Sequence, residues 1–147
     1  MTDVENLAIA ELKHGQVLDF GSITLSEDEI MDYARLFDPL PFHIDKKIAL
    51  ESPFKGLISS GPQVFNTMYI RKWIPLFGNT VLCGLEINNW KFMAPIYANQ
   101  QTNCKVIIIY LRKNEEKKHV VITWRYEFFD PKGVMVQQAE VTVMHKL

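Results

Sequence analysis

The chain has 147 residues, of which 48% are apolar and 22% charged, with a formal net charge of −1. That length suits one domain with a substantial core, and the composition excludes a disordered chain. Charge this balanced, with no basic block, leaves no footprint for nucleic acid, and the longest apolar run, residues 106–111, is too short to span a bilayer.

Residues 1–14 read as a lead-in segment and residues 15–147 as a single domain. The stretch Met1 to Glu11 carries three acidic residues and no long apolar run, unlike a signal peptide. Residues 16–25 alternate loosely and predict a first strand. Ser26-Glu27-Asp28-Glu29 forms a capping box, in which Ser26 accepts from the Glu29 amide and the Glu29 carboxylate reaches back. A helix follows, with Ile30, Tyr33, Ala34 and Phe37 on one face. It should end at Asp38, because the residue before a proline is pushed out of the helical region.

Residues 38–60 contain three of the seven prolines. They predict a mostly irregular segment with one short helix after Asp45. Gly61-Pro62 then opens a long helix, proline being well placed at a first helical position. Val64, Phe65, Met68, Tyr69 and Trp73 recur at helical spacing, and Pro75 and Gly78 close the segment. Four strands are expected after it, at residues 81–92, 102–111, 119–129 and 134–145. The clearest alternation is Val120, Ile122, Trp124, Tyr126 and Phe128, and Asp130-Pro131-Lys132-Gly133 is a turn signal. Strands gathered after helices indicate an α+β chain with an antiparallel sheet. A helix apolar on more than one side needs cover all round. A curved sheet wrapped about it supplies that cover, which is the hot dog fold.

Cys83 and Cys104 sit in apolar stretches without a C-x-x-C motif, so both are expected as buried free thiols of a cytoplasmic protein. His119 and His145 fall at strand ends and are expected at the surface. Arg71 and Lys72 read as a solvated helix face, with contact to a ligand phosphate as the sharper alternative. Phe65, Met68, Tyr69 and Trp73 either line an apolar binding pocket or simply fill the core. His43 and Asp45 lack a third partner for a metal site, so no metal is expected.

The stretch with chemical content is Asp38-Pro39-Leu40-Pro41-Phe42-His43-Ile44-Asp45. A carboxylate and an imidazole lie five residues apart on a connector stiffened by two prolines. General acid/base chemistry needs that kind of positioning, with both groups in reach of one water or hydroxyl. The same spacing also suits a helix-capping aspartate and a loop histidine, and by itself does not separate the two readings.

This stretch resembles the D-x-N-P-x-H and D-P-Q-P-F-H motif of MaoC-like dehydratases and (R)-specific enoyl-CoA hydratases. Ser52-Pro53-Phe54-Lys55-Gly56-Leu57-Ile58-Ser59-Ser60-Gly61 is similar to that family's S-P-F-G-G-L-I-A-S-G, and residues 84–96 are similar to its pattern around a tryptophan and a proline. The resemblance covers roughly residues 15–147. It implies reversible addition of water to the α,β double bond of an enoyl thioester. Asp38 and His43 would activate the water and move its proton. The Gly61 amide at the helix start would bind the thioester oxygen, and Ser60, Leu40, Phe42 and Tyr69 would contribute to binding. No separate cofactor is implied, coenzyme A or acyl carrier protein being part of the substrate. The partners implied are an acyl thioester and a second copy of the chain, as a homodimer or a dimer of dimers, and neither nucleic acid nor a membrane.

The chain departs from the pattern at three places. Leu40 replaces a polar Asn or Gln, Ser60 stands where many relatives carry a histidine before the helix glycine and serine is a common variant, and Ala98-Asn99 replaces a Gly-Asp turn. Leu40 keeps open a non-catalytic acyl-thioester binder. A thioesterase on this fold often places a carboxylate on the long helix, whereas no Asp or Glu occurs between Lys55 and Leu85.

Overall fold

The computed structural model describes residues 4–147. Residues 1–3 of the expected lead-in lie outside the described residues; in the rest of it a 3-10 turn at Ile9–Glu11 buries Ile9, and Leu12 behind it is buried as well. The Gly15 amide then bonds the Ile108 carbonyl at 2.7 Å and delivers the chain to strand β1 (Val17–Thr24).

Helix α1 (Glu27–Phe37) starts on the expected capping box, with Glu29 N to Ser26 Oγ at 3.1 Å and Ser26 N to Glu29 Oε1 at 3.3 Å. Both bonds satisfy amides that a helix N-terminus otherwise leaves open. The helix ends at Phe37, one residue before the Asp-Pro step. Its buried face is Ile30, Met31 and Ala34. Phe37, expected on that face, is exposed. Two short helices follow, α2 (Pro41–Ile44) and α3 (Lys46–Glu51). The second was expected after Asp45, whose side chain caps it at the Ile48 amide. The first was not: Pro41 at a first helical position lets one turn form in a segment that reads as irregular.

The long helix runs through α4 (Gln63–Met68), a π-helical turn (Tyr69–Trp73) and α5 (Ile74–Phe77). Pro62 is its cap rather than its first residue. Pro75 sits within the last turn, not beyond it. The wider π turn falls immediately before this proline, where a regular hydrogen bond has no donor.

Strands β2 (Val81–Phe92), β3 (Gln101–Asn114), β4 (His119–Phe129) and β5 (Met135–Lys146) complete one antiparallel sheet of order β1-β3-β4-β5-β2. The alternation of β4 holds along its length, with Val120, Ile122, Trp124, Tyr126 and Phe128 all buried. Bulges in β1, β2 and β3 bend the sheet. The turn at 98–99 places Asn99 at φ 62, a left-handed conformation that a Gly or Asn adopts most cheaply.

The sheet curves about the helix, and aromatic rings fill the space between them. Trp73 lies edge-on to Trp124 at 5.3 Å between ring centres, and Phe65 meets Tyr126 at 4.9 Å. This is the hot dog arrangement expected from the order of elements. Cover is not complete, however. Ile70 and Ile74 on the helix are exposed, as are Leu82, Leu85 and Ile87 on β2, which ends the sheet. Edge position also corrects the reading of Cys83, which is exposed; Cys104, on interior strand β3, is buried. His145 is corrected in the opposite sense. It is fully buried, because β5 lies between two other strands and places this ring beside Trp73 and Trp124.

Candidate active site

Asp38 is the residue at the C-terminal end of α1, and its place is set by how α1 is tied to the long helix. Arg71 bonds the Glu29 carboxylate at 2.7 Å, Gln63 Nε2 donates to the Glu29 carbonyl at 2.9 Å, and Asn66 Nδ2 donates to the Tyr33 hydroxyl at 2.7 Å. Arg71 therefore has a carboxylate partner within the chain. It also holds the Glu29 carboxyl below its ordinary range, chiefly through that hydrogen bond.

His43 sits in the α2 turn and is almost wholly buried. Its Nδ1 lies 2.7 Å from the Ile58 carbonyl oxygen. A carbonyl only accepts, so Nδ1 carries the proton and donates. Nε2 of the neutral ring is then a bare lone pair, and it stands 3.4 Å from Asp38 Oδ2. Ser60 Oγ donates to that same oxygen at 2.8 Å. Asp38 and Ser60 are 22 residues apart in sequence. An ionised carboxylate and a bare imidazole nitrogen are both acceptors. Their separation suits one water donating a hydrogen to each.

These groups open onto a cavity of about 490 Å³ with Asp38, His43, Phe54, Gly61, Phe92 and Gln137 in its wall. Gly61 is packed so closely that a Cβ there would fall 2.8 Å from the Phe92 ring. Its carbonyl accepts from Gln137 Nε2 at 2.8 Å, while its amide donates to no group among the described residues. Gln137 in turn accepts from Trp90 Nε1 at 3.1 Å. The amide side of Gly61 is thus left available beside the cavity while the carbonyl side is fixed.

Among the residues expected to bind, Ser60 and Gly61 are brought to Asp38 and His43. Leu40 is half-exposed and Phe42 packs on His43 and Phe54, with ring centres 4.6 and 5.2 Å apart; neither belongs to the wall of this cavity. Tyr69 stacks between Phe65 and Trp73 and lines a different cavity of about 420 Å³, between the long helix and β2. Burial raises its phenol above the ordinary value. Phe92 and Gln137 are wall residues that the motif did not flag. Gln137 reads as one more outward polar residue of an alternating strand, and only its burial marks it. Among the described residues, no three His, Cys, Asp or Glu side chains are grouped for a metal ion, and no helix is long and apolar enough to cross a membrane.

Comparison with known proteins agrees with this arrangement at the level of fold and family. The MaoC like domain model matches residues 10–127. The chain is 29% identical over 143 residues to the uncharacterized protein YdeM of Bacillus subtilis (strain 168), covering 95% of this chain and 99% of that one. It superposes on the MaoC-like dehydratase from Rhodospirillum rubrum with a TM-score of 0.80 at 19% identity, covering 96% of this chain and 97% of that one. It superposes on the (R)-hydratase PhaJ1 from Pseudomonas aeruginosa with a TM-score of 0.74 at 19% identity, covering 93% and 84%. At such identities the superpositions speak for the fold, and the family model, which spans most of the chain, decides membership: this protein belongs to the MaoC-like dehydratase family.

Proposed function

We propose that this protein is a hydro-lyase that reversibly adds water to the α,β double bond of an enoyl thioester, giving a 3-hydroxyacyl thioester. The observation that carries the reading is the pair of acceptors, His43 Nε2 and Asp38 Oδ2, 3.4 Å apart beside an apolar cavity. A water donating to both has its lone pairs free to attack the β carbon. The pair takes up one of its protons as the new C–O bond forms, and a proton passes from the pair to the α carbon. Such positioned acid/base groups contribute about 10²–10⁴-fold. Negative charge gathers on the thioester oxygen meanwhile, and the free Gly61 amide is the donor for it, as preorganised amides are for other oxyanions. The carrier, coenzyme A or acyl carrier protein, arrives as part of the substrate, and no further cofactor enters the steps.

The working unit in this reading is a homodimer. Strand β2 has one free edge, and Leu82, Leu85, Ile87 and Phe92 leave apolar surface open along it. An uncapped edge of that kind pairs readily with a second copy.

The test offers crotonyl-CoA to the wild type, Asp38→Asn and His43→Gln, following loss of enoyl absorbance and, in parallel, free thiol. Hydration by the wild type, falling about 10²–10⁴-fold in each variant, is expected. Thiol release without hydration identifies a thioesterase instead. Tight binding with neither reaction identifies a non-catalytic acyl-thioester binder.

A further inference from the structure

Asp38 stands between two cavities, not at the end of one. Beyond it lies a second space of about 350 Å³, bounded by Tyr33, Phe37, Asp38, Ser60, Asn66 and Ile70. The first cavity holds Gly61 and with it the place for the thioester carbonyl. An enoyl group seated with its reacting carbons at Asp38 therefore sends the rest of its acyl chain into the second. Besides Asp38 and Ser60, which bond each other, its walls are Phe37, Pro62 and Ile70 and one further polar pair, the Tyr33 hydroxyl and the Asn66 carboxamide, 2.7 Å apart. The pair is only partly satisfied. The Asn66 oxygen accepts from nothing among the described residues, and the phenolic proton of Tyr33 has no acceptor there. Turning the amide end for end still leaves the pair with both spare donors and a spare acceptor.

Resting on the hydro-lyase reading, we propose that Tyr33 and Asn66 form a specificity site, and that the natural acyl group carries a neutral hydrogen-bonding substituent, a hydroxyl or a carbonyl, beyond its β carbon. A purely alkyl chain leaves these two groups desolvated and unpaired, which disfavours its binding. A carboxylate substituent is disfavoured by charge, since the walls of this space include the Asp38 carboxylate and no lysine or arginine. Discrimination by a hydrogen-bonding site is larger than discrimination by apolar fit alone.

The experiment compares kcat/KM for pent-2-enoyl-CoA and 5-hydroxypent-2-enoyl-CoA, with the wild type, Tyr33→Phe and Asn66→Leu. The expected result is at least a tenfold wild-type preference for the hydroxylated substrate, collapsing toward unity in each variant. Tyr33 and Asn66 also tie α1 to the long helix. A role confined to that tie lowers both substrates in proportion and leaves their ratio unchanged, which overturns the proposal. Equal use of the two substrates by the wild type overturns it as well, while leaving the hydro-lyase reading intact. Hydration of neither substrate overturns the hydro-lyase reading, and this proposal with it. Tyr33→Phe keeps the ring and its packing, so the ratio is readable even where Asn66→Leu folds poorly.

Discussion

Ser60 Oγ donates to Asp38 Oδ2 at 2.8 Å, the same carboxylate oxygen that faces His43 Nε2. The serine thus orients the carboxylate and takes up one lone pair of its reactive oxygen. Removing it frees the carboxylate to rotate without deleting either member of the pair. Ser60→Ala is expected to lower kcat on crotonyl-CoA by roughly tenfold, the scale of one charge-assisted hydrogen bond. Ser60→Thr, which keeps the hydroxyl, should recover part of it. Steady-state kinetics on both variants checks this.

Gly61 is required by contact with Phe92 rather than by backbone strain, since a Cβ would meet the ring at 2.8–2.9 Å. Phe92 is more than half exposed, so its ring can swing aside, and it does so at the expense of the cavity it helps to wall. Gly61→Ala should therefore raise KM and lower kcat/KM while shifting the melting temperature by only a few degrees, equivalent to about 1 kcal/mol or less. Phe92→Leu in the Gly61→Ala background relieves the overlap and should restore part of the lost kcat/KM. Losses that simply add in the double variant would refute the contact.

His145 adds a dependence on pH to stability. Thr80 Oγ1 donates to the Phe77 carbonyl, so it accepts from His145 Nδ1–H at 2.8 Å. Nε2 is left as a bare nitrogen among aromatic rings, and a proton placed there finds no acceptor among the described residues. Burial accordingly lowers the pKa of His145 to about 4. The unfolded chain binds this proton at higher pH than the folded one. The contribution to stability is thus present above about pH 6.5 and is lost as the pH falls from there toward 4. Between pH 7.5 and 4.5 the loss amounts to about 2–3 kcal/mol. Urea denaturation at the two values should show that much less pH dependence in His145→Gln than in the wild type.

The free edge of β2 sets a fourth expectation. Sedimentation of the wild type should give a dimer, and Leu85→Lys with Ile87→Lys should shift it toward monomer by placing charge on the pairing strand. Loss of hydratase activity in parallel with dissociation would tie the working site to the dimer. A monomeric wild type with full activity would remove the dimer from the mechanism.

Much of this molecule was determined by short-range features of its sequence. The capping box at Ser26, the stop at Asp38-Pro39 and the period of two in β4 act within a few residues of one another, and each element formed where these placed it. The five-residue spacing on a proline-stiffened connector likewise kept Asp38 and His43 together. Tertiary structure decided what depends on contacts between distant segments. Ser60 reaches Asp38 because Gly61 and the long helix dock beside the end of α1, and Gln137 reaches Gly61 across 76 residues because β5 crosses that helix. His145 is buried and Cys83 exposed because sheet order puts β5 inside and β2 at the edge. Strand order is set by which register buries the most apolar surface, a property of the whole chain that no local pattern carries.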